Sequence, residues 1–423
     1  MTYPEALKFM YAQLPFFQKA GEKAYHPGFD NILRLCDILG NPHQKIKTIH
    51  IAGTNGKGST AHMLAAILQM AGYKTGLYTS PHLKEFTERI KIDGKEAPQA
   101  FIADWVAQYQ SLIEEIQPSF FEVTVAMAFD YFAQQQVDIA VVETGLGGRL
   151  DATNIITPEV GLITNIGWDH MHILGDTLPK IAVEKAGIIK PHVPVVISEY
   201  QAEVEEVFRQ KATKENAPIY FASEVFELEE SFKGIEVRRK DNDEFTLRQL
   251  SLLGAHQLKN LAGVLQTIYL LKGKGFEVKS QHMVSALSKV QSITGLKGRW
   301  QVLGQKPLII CDVAHNEDGL RYVLAEIKKQ SYETLHVVFG MLQEKQPNKI
   351  LSLLPKEARY YLCEADNDRA YNVLELASRA RHFHLQYEVC ESVAQAFEQA
   401  KKNAQPEDMI FVGGSTFVVA EVV

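Results

Sequence analysis

The run Ile51-Ala-Gly-Thr-Asn-Gly-Lys-Gly-Ser-Thr60 carries the clearest chemistry in the chain. Gly53, Thr54, Asn55, Gly56, Gly58 and Ser59 are small, so backbone N–H groups there can turn inward on phosphate oxygens. Lys57 adds a point charge for terminal phosphates, and Ser59 or Thr60 a hydroxyl for a metal. An apolar β-branched run precedes the stretch and a helical pattern follows it, so a helix N-terminus would add positive potential at the same place. The spacing departs from the common G-x-x-x-x-G-K-S/T pattern. Two residues separate Gly53 from Gly56, and Gly58 stands between Lys57 and Ser59. A plain glycine-rich turn would need neither the lysine nor the flanking elements.

Glu143 ends the apolar run 138–143. A carboxylate at the carboxyl edge of a parallel sheet can hold Mg²⁺ directly or through water. Gly145, Gly147 and Gly148 follow, then Asp151, Thr153 and Asn154; glycines at this density let backbone come close to a ligand. Asp169-His-Met-His172 follows another apolar run, and His170 there is a candidate metal ligand. Taken alone, such an Asp–His pair is more often a surface or hydrogen-bonded pair; its place just after a strand makes the metal reading as good. Lys185, in Glu184-Lys-Ala-Gly-Ile-Ile-Lys190, reads by itself as a solvated helix lysine. An ammonium repels Mg²⁺; a lysine carbamylated by CO₂ would carry the opposite charge and could bind it.

The elements that must carry these groups alternate. Strands are expected over 47–52, 75–79, 138–143, 160–165 and 194–198, with helices over 61–71, 97–117, about 120–136 and 177–189. Ser119-Phe-Phe-Glu122 is a capping box. Continuous apolar strands between helices predict a doubly wound parallel α/β sheet. Residues 224–252 break the rhythm around Lys240-Asp-Asn-Asp243 and read as a β insertion or edge. A second α/β rhythm starts near 300, with strands expected over 307–313, 335–340, 358–363 and 409–412. The turn-rich Ser292-Ile-Thr-Gly-Leu-Lys-Gly298 separates the two, giving domains 1–295 and 296–423.

Composition bounds the rest. At roughly 100–200 residues per domain, 423 residues suggest two or three domains. Hydrophobic residues at 46% and charged residues at 22% suit a globular chain and not a disordered one. A net charge of −7, from 44 basic and 51 acidic residues, argues against a general nucleic-acid binder. A local basic pocket for an anionic small molecule remains compatible with it. Cys36, Cys311, Cys363 and Cys390 are far apart and form no CxxC pair, so a reducing, cytoplasmic compartment is expected. No apolar run reaches the roughly 18 residues of a membrane helix. The opening stretch, with Pro4, Glu5 and Pro15, does not read as a signal peptide.

Together these residues resemble the folylpolyglutamate synthase/dihydrofolate synthase family of the Mur ligase superfamily. Gly53-Thr-Asn-Gly-Lys-Gly-Ser59 is similar to the family's phosphate loop, and Val141-Val-Glu-Thr-Gly-Leu-Gly-Gly-Arg-Leu-Asp-Ala-Thr-Asn154 to its second signature. Thr79-Ser-Pro-His82, Asp169-His170 with Leu174-Gly175, and Glu184-Lys-Ala-Gly187 match further motifs. So do Gly254-Ala-His-Gln257 with Asn260, and Asp312-Val-Ala-His-Asn316. The resemblance implies an N-terminal ATP-binding domain with a phosphate-loop doubly wound sheet and a β insertion. It also implies a smaller, Rossmann-like C-terminal glutamate-ligase domain. It implies that Lys57 binds ATP phosphates, that Ser80 and Glu143 hold Mg²⁺, and that His170 and carbamylated Lys185 hold a second Mg²⁺. By the same resemblance Asn260, Arg299, Asp312 and His315 frame the nucleotide, and the loop 79–89, starting Thr79, Ser80, Pro81 and His82, helps cover the folate.

The activity so implied is ADP-forming ligation of L-glutamate to folate or dihydropteroate, through an acyl phosphate, by a monomer. Four stretches depart from the family pattern. Leu296-Lys-Gly-Arg299 stands for Pro-Gly-Arg, and Val313 stands in a glycine position. Gln343-Glu-Lys-Gln346 replaces an Asp-Lys-Asp cluster, and Gly413-Gly-Ser-Thr-Phe417 follows Gly-Ser-Leu-Tyr only roughly. A Mur-type peptidoglycan ligase would carry a nucleotide-sugar domain before the phosphate loop, and the stretch before Gly53 is short for one. A regulatory ATPase would bind ATP without glutamate-dependent ADP release.

Overall fold

The computed structural model describes residues 1–15, 28–232, 234–240, 244–343 and 345–423. The chain forms two compact units. The first comprises Met1–Ser251 with His256–Leu296, and the second Leu252–Ala255 with Lys297–Val423.

The first unit is built on eight strands: β1 (Thr48–Ala52), β2 (Thr75–Tyr78), β3 (Ile90–Ile92), β4 (Lys95–Glu96), β5 (Ile139–Glu143), β6 (Val160–Ile163), β7 (Val195–Ile197) and β8 (Ile219–Phe221). Their order is β4-β3-β2-β5-β1-β6-β7-β8. The six strands from β2 to β8 in that order pair in parallel, and β3 and β4 add an antiparallel edge. Every residue of β1, β2, β5 and β6 is buried. That explains their unbroken apolar runs, since helices cover both faces of the sheet. One face carries two cores: Phe86, Trp105, Phe120, Phe129 and Phe132 gather beside β2 and β5, and Ile163, Ile181, Ile188, Val195 and Phe208 beside β6 and β7. Ile49, Ile51, Leu77, Val141 and Leu162 point to the opposite face and are buried there. The capping box is formed as read: Ser119 Oγ accepts from the Glu122 N–H at 3.2 Å, and Glu122 Oε2 accepts from the Ser119 N–H at 2.7 Å.

Two features differ from the sequence expectation. The helix after β1 spans Lys57–Met70, so it starts four residues before the apolar periodicity. Its first turn is Lys57, Gly58, Ser59 and Thr60, small or polar residues that the apolar periodicity does not mark. The β3–β4 hairpin was unexpected, although Asp93-Gly94 between alternating residues is a two-residue turn signal. Both residues have positive φ, 50° and 73°.

Residues 226–247 form a separate antiparallel sheet, β9 (Phe226–Ser231), β10 (Gly234–Arg239) and β11 (Glu244–Leu247), in the order β11-β10-β9. The stretch is thus an insertion and not an edge of the main sheet. Most of its expected turn, 241–243, lies outside the described residues.

The second unit holds β12 (Gln301–Gln305), β13 (Leu308–Asp312), β14 (Leu335–Phe339), β15 (Arg359–Leu362), β16 (Gln386–Val389) and β17 (Met409–Gly413). Their order is β12-β13-β17-β14-β15-β16, all parallel except β12. The four inner strands match the expected apolar runs. The two edge strands, β12 and β16, were not foreseen, because their residues are mostly exposed or half-buried and lack a continuous apolar signal. Among the described residues no helix is long and apolar enough to cross a membrane.

Candidate active site

The phosphate loop leaves the carboxyl end of β1 at the centre of the first sheet. Gly56 is the N-cap of the helix Lys57–Met70 with φ 84°, and Gly53 has φ 149°. A side chain at either glycine is barred twice, by backbone conformation and by space. A Cβ at Gly53 would overlap the Thr164 hydroxyl, and one at Gly56 the Asn260 amide. The loop is held from the carboxyl end of β6. Asn165 O accepts from the Thr54 N–H at 2.9 Å, Asn165 Oδ1 from the Asn55 N–H at 2.9 Å, and Thr164 Oγ1 donates to Asn55 O at 2.6 Å. Thr164 and Asn165 were not foreseen as site residues. Their signal was their place at a strand's carboxyl end, the same signal that picked out Glu143.

Lys57 and Lys185 meet at one backbone oxygen. Lys57 Nζ donates to Gly53 O at 3.1 Å, and Lys185 Nζ donates to the same oxygen at 2.8 Å. Lys185 is only 4% exposed. The reading of it as a solvated helix lysine is therefore wrong. The helix Leu178–Ala186 turns that residue inward, against the sheet. Burial and the neighbouring Lys57 lower its amine to about 7, with Asp169 and Asp151 pulling the other way.

Glu143 ends β5, next to β1, and is 4% exposed. Its Oε2 accepts from the Ser80 N–H at 3.3 Å. Ser80 follows β2, the other neighbour of β5, so two adjacent strand ends bring Ser80 and Glu143 together. Beyond the cis Ser80–Pro81 peptide, His82 Nδ1 accepts from the buried Arg89 Nε at 2.7 Å. Burial, then Arg89, holds the His82 imidazole well below its ordinary value.

The segment after Glu143 turns on Asp151. Its carboxylate accepts from the N–H groups of Leu146 at 2.8 Å and Thr153 at 3.0 Å, and from the Thr153 hydroxyl. Burial pushes this carboxyl up, against those hydrogen bonds. Thr153 Oγ1 also meets His50 Nε2, in the middle of β1, at 2.8 Å. Asn154 Nδ2 donates to Arg149 O and Gly187 O, tying the segment to the helix that carries Lys185. Gly148 packs against the carbonyls of Glu184 and Lys185. Its missing side chain makes room for protein, where the sequence suggested room for a ligand.

His170 begins the short helix Met171–Leu174 with φ 49°, and its ring lies 3.9 Å from Asp169. Asn260, 4% exposed, donates to Gln257 Oε1 at 3.0 Å, and Gln257 Nε2 donates to Ser59 Oγ at 3.3 Å. The helix Ala255–Gly273 thus adds Asn260 and Gln257 to the loop. In the second unit, Asp312 at the end of β13 accepts from the Trp300 and Ala314 N–H groups, both at 2.8 Å. His315 Nδ1 lies 3.0 Å from Val313 O, and Arg299 Nη1 donates to Gly298 O at 3.4 Å.

The residues around the phosphate loop in the first unit fit a nucleotide triphosphate and its cation. The first-turn N–H groups of Lys57–Met70 and the two lysines offer a phosphate cradle. Among the described residues no three His, Cys, Asp or Glu side chains cluster as a metal cage. Mg²⁺ is usually held by one or two carboxylates plus substrate phosphates, and Glu143 beside Ser80 offers a carboxylate.

Comparison with known proteins agrees. Residues 51–268 match a family profile described as Mur ligase middle domain, and residues 298–416 one described as Mur ligase, glutamate ligase domain. The chain is 32% identical over 436 residues to the dihydrofolate synthase/folylpolyglutamate synthase of Bacillus subtilis, covering 100% of this chain and 98% of that one. It is 32% identical to a probable bifunctional folylpolyglutamate synthase/dihydropteroate synthase of Haloferax volcanii, and spans 50% of that longer protein. Escherichia coli FolC in complex with DHPP and ADP superposes with a TM-score of 0.88 at 28% identity, covering 100% of this chain and 97% of that one. A bifunctional folylpolyglutamate synthase/dihydrofolate synthase with Mn, AMPPNP and L-glutamate bound gives 0.86 at 28%, covering 100% and 97%. Fold and profile define a Mur-type ligase. Within that class, the chain belongs to the folylpolyglutamate synthase/dihydrofolate synthase family of ATP-dependent, ADP-forming glutamate ligases. The family resemblance and α/β architecture expected from the motifs both hold.

Proposed function

We propose that the protein joins L-glutamate to the carboxylate of a folate-type acid, dihydropteroate, a reduced folate or both, with ATP as phosphoryl donor. The acid's carboxylate attacks the γ-phosphorus and ADP leaves. The glutamate amine then attacks the acyl phosphate, an amide forms and inorganic phosphate departs. Lys57 offsets the repulsion between carboxylate and phosphates, and first-turn N–H groups hold the phosphates in line. Ser80 and Glu143 would hold one Mg²⁺, and His170 and carbamylated Lys185 would hold a second. When bound, the ions neutralise charge on the transferring phosphoryl. Asn260, Arg299, Asp312 and His315 frame the nucleotide. Thr79, Ser80, Pro81 and His82 belong to the loop over the folate. Residues 1–295 serve as the ATP-binding domain and 296–423 as the glutamate-ligase domain.

The observation that carries this reading is Lys185. Its amine is buried against Gly53 O and lowered to about 7, so much of it is uncharged at neutral pH. An uncharged amine is the form that adds CO₂, and the resulting carbamate would put an anionic ligand beside the phosphate loop. The reading includes a cytoplasmic monomer acting on small molecules, and not on nucleic acid or membrane; the net charge of −7 speaks against nucleic acid, and the four unpaired, buried cysteines fit a reducing compartment. The test is ADP release from purified protein with ATP, Mg²⁺ and L-glutamate, with dihydropteroate in one assay and tetrahydrofolate in another. Turnover in either, dependent on glutamate, is expected. ATP binding with silence in both would overturn the reading.

A further inference from the structure

The segment that braces the phosphate loop is itself braced from outside. Asn165, Ile166 and Gly167 follow β6. Asn165 accepts from the Thr54 and Asn55 N–H groups. Gly167 adds a second hold: its N–H donates to Thr54 Oγ1 at 2.9 Å, and its carbonyl accepts from the same hydroxyl at 3.3 Å. Ile166 stands between them. Its side chain is 3% exposed and lies in the core beside β6 and β7. Its backbone N–H and carbonyl both meet one half-buried side chain, that of Gln201. The Ile166 N–H donates to Gln201 Oε1, and Gln201 Nε2 donates to Ile166 O, each at 2.8 Å.

The sheet explains why a side chain is needed there. β6 and β7 pair in parallel from Gly161 to Ile163. The Ser198 and Glu199 N–H groups extend the ladder to Ile163 O and Thr164 O, at 2.9 and 3.1 Å. Past Glu199 the chain turns towards the helix Glu205–Lys214, and the Gln201 carbonyl accepts from the Val204 and Glu205 N–H groups, both at 3.1 Å. Without Gln201, the ladder would end before Ile166 and leave its N–H and C=O to find other partners. A primary amide is the neutral side chain that offers one acceptor and one donor with the spacing of a peptide, so Gln201 stands in for the next residue of β7. The partners also fix which amide atom is oxygen, since an N–H and a carbonyl need opposite mates.

Resting on the ligase reading above, we propose that Gln201 is a positioning residue of the phosphate loop. By pinning Ile166 it holds Asn165 and Gly167 where their four hydrogen bonds fix Thr54 and Asn55. The same segment runs on through Trp168 to Asp169 and His170, so one amide stands behind both the phosphate loop and the candidate metal residue. Gln201 touches no substrate in this role; it acts through the Ile166 backbone. A glycine-rich loop has the conformational freedom to drift, and a misplacement of about 1 Å can cost about 10²-fold in rate.

The test measures binding of the ATP analogue AMPPNP with Mg²⁺ to the full chain by calorimetry, with steady-state kinetics beside it. Gln201→Met keeps the length of the side chain and removes both bonds. It is expected to weaken AMPPNP about tenfold, the scale of one to two net hydrogen bonds. It should also lower kcat, while KM for the folate-type acid stays at the wild-type value. Gln201→Glu keeps an acceptor for the Ile166 N–H and loses the donor, so its affinity should fall between the two. A role in stability alone would lower the urea midpoint of Gln201→Met and leave AMPPNP affinity and kcat unchanged in the folded protein. That result overturns the proposal, and so does an equal rise of KM for ATP and for the acid. If Gln201→Met does not fold, Gln201→Glu carries the comparison, and wild-type AMPPNP affinity in that variant overturns it. The AMPPNP measurement needs no acid substrate. Wild-type protein that binds nucleotide but releases no ADP with either acid would therefore remove the ligase reading and leave the role of Gln201 at the loop to be decided by the variants.

Discussion

Lys57 and Lys185 share an acceptor, and the proposed mechanism gives them different tasks. With Lys57 at the phosphates as proposed, Lys57→Ala is expected to lower kcat by at least about 10²-fold, the scale for losing one preorganised charge contact. The unfolding transition should stay cooperative; near-normal turnover would remove Lys57 from the chemistry. The proposed carbamate at Lys185 forms from the uncharged amine. Below its value of about 7 the ammonium dominates and cannot take up CO₂; above it the free amine can. Protein stripped of CO₂ should therefore regain activity on adding bicarbonate, faster at pH 8 than at pH 6. Lys185→Ala should show no such recovery. Recovery with the same rate at both pH values would contradict a buried, lowered amine. The motif order exposed both lysines, but only folding shows that one is buried, because the local helix pattern taken alone reads Lys185 as solvated.

At the scale of elements, the segment 145–154 is a joint between β5, the middle of β1 and the helix Leu178–Ala186. Its tightest point is Gly187, where a Cβ would run into the backbone of Arg149. Gly187→Ala is expected to cost about 1–3 kcal/mol, read by urea unfolding, since overpacking here meets main chain and not a flexible side chain. The Thr153 hydroxyl bridges His50 and Asp151, so Thr153→Val should cost about 1–3 kcal/mol by leaving buried partners unpaired, and Thr153→Ser should recover most of it. Equal losses in Val and Ser variants would assign the effect to packing. Inner strands were legible because burial on both faces writes an unbroken apolar run. Edge strands β12 and β16 were not, because each has a face in water. The bridge from His50 to Asp151 joins residues a hundred positions apart, and no local pattern announces it.

For the whole molecule, acid acts on the second unit through one buried network. His336 in β14 meets Asp408 at 3.3 Å and the Tyr361 hydroxyl at 3.0 Å. Burial holds the imidazole below its ordinary value even with Asp408 beside it. Burial works to raise Asp408, but the N–H groups of Gln405 and Thr334 and His336 outweigh it and lower the carboxyl. As pH falls through about 6.5, the unfolded chain binds a proton at His336 that the folded unit resists, so stability falls. A further fall follows below about 4 as the unfolded Asp408 protonates first. Urea unfolding of His336→Asn across pH 5 to 8 should show a flatter upper slope; an unchanged slope would point to other groups. The phosphate loop carries a different kind of consequence. Thr164 and Asn260 wall off Gly53 and Gly56 from far along the chain, so this short loop cannot drift or be transplanted by itself. Any lineage, or any designer, that lengthens it towards the commoner spacing must change two distant stretches at once. A motif of seven residues is thereby inherited as a unit of more than two hundred.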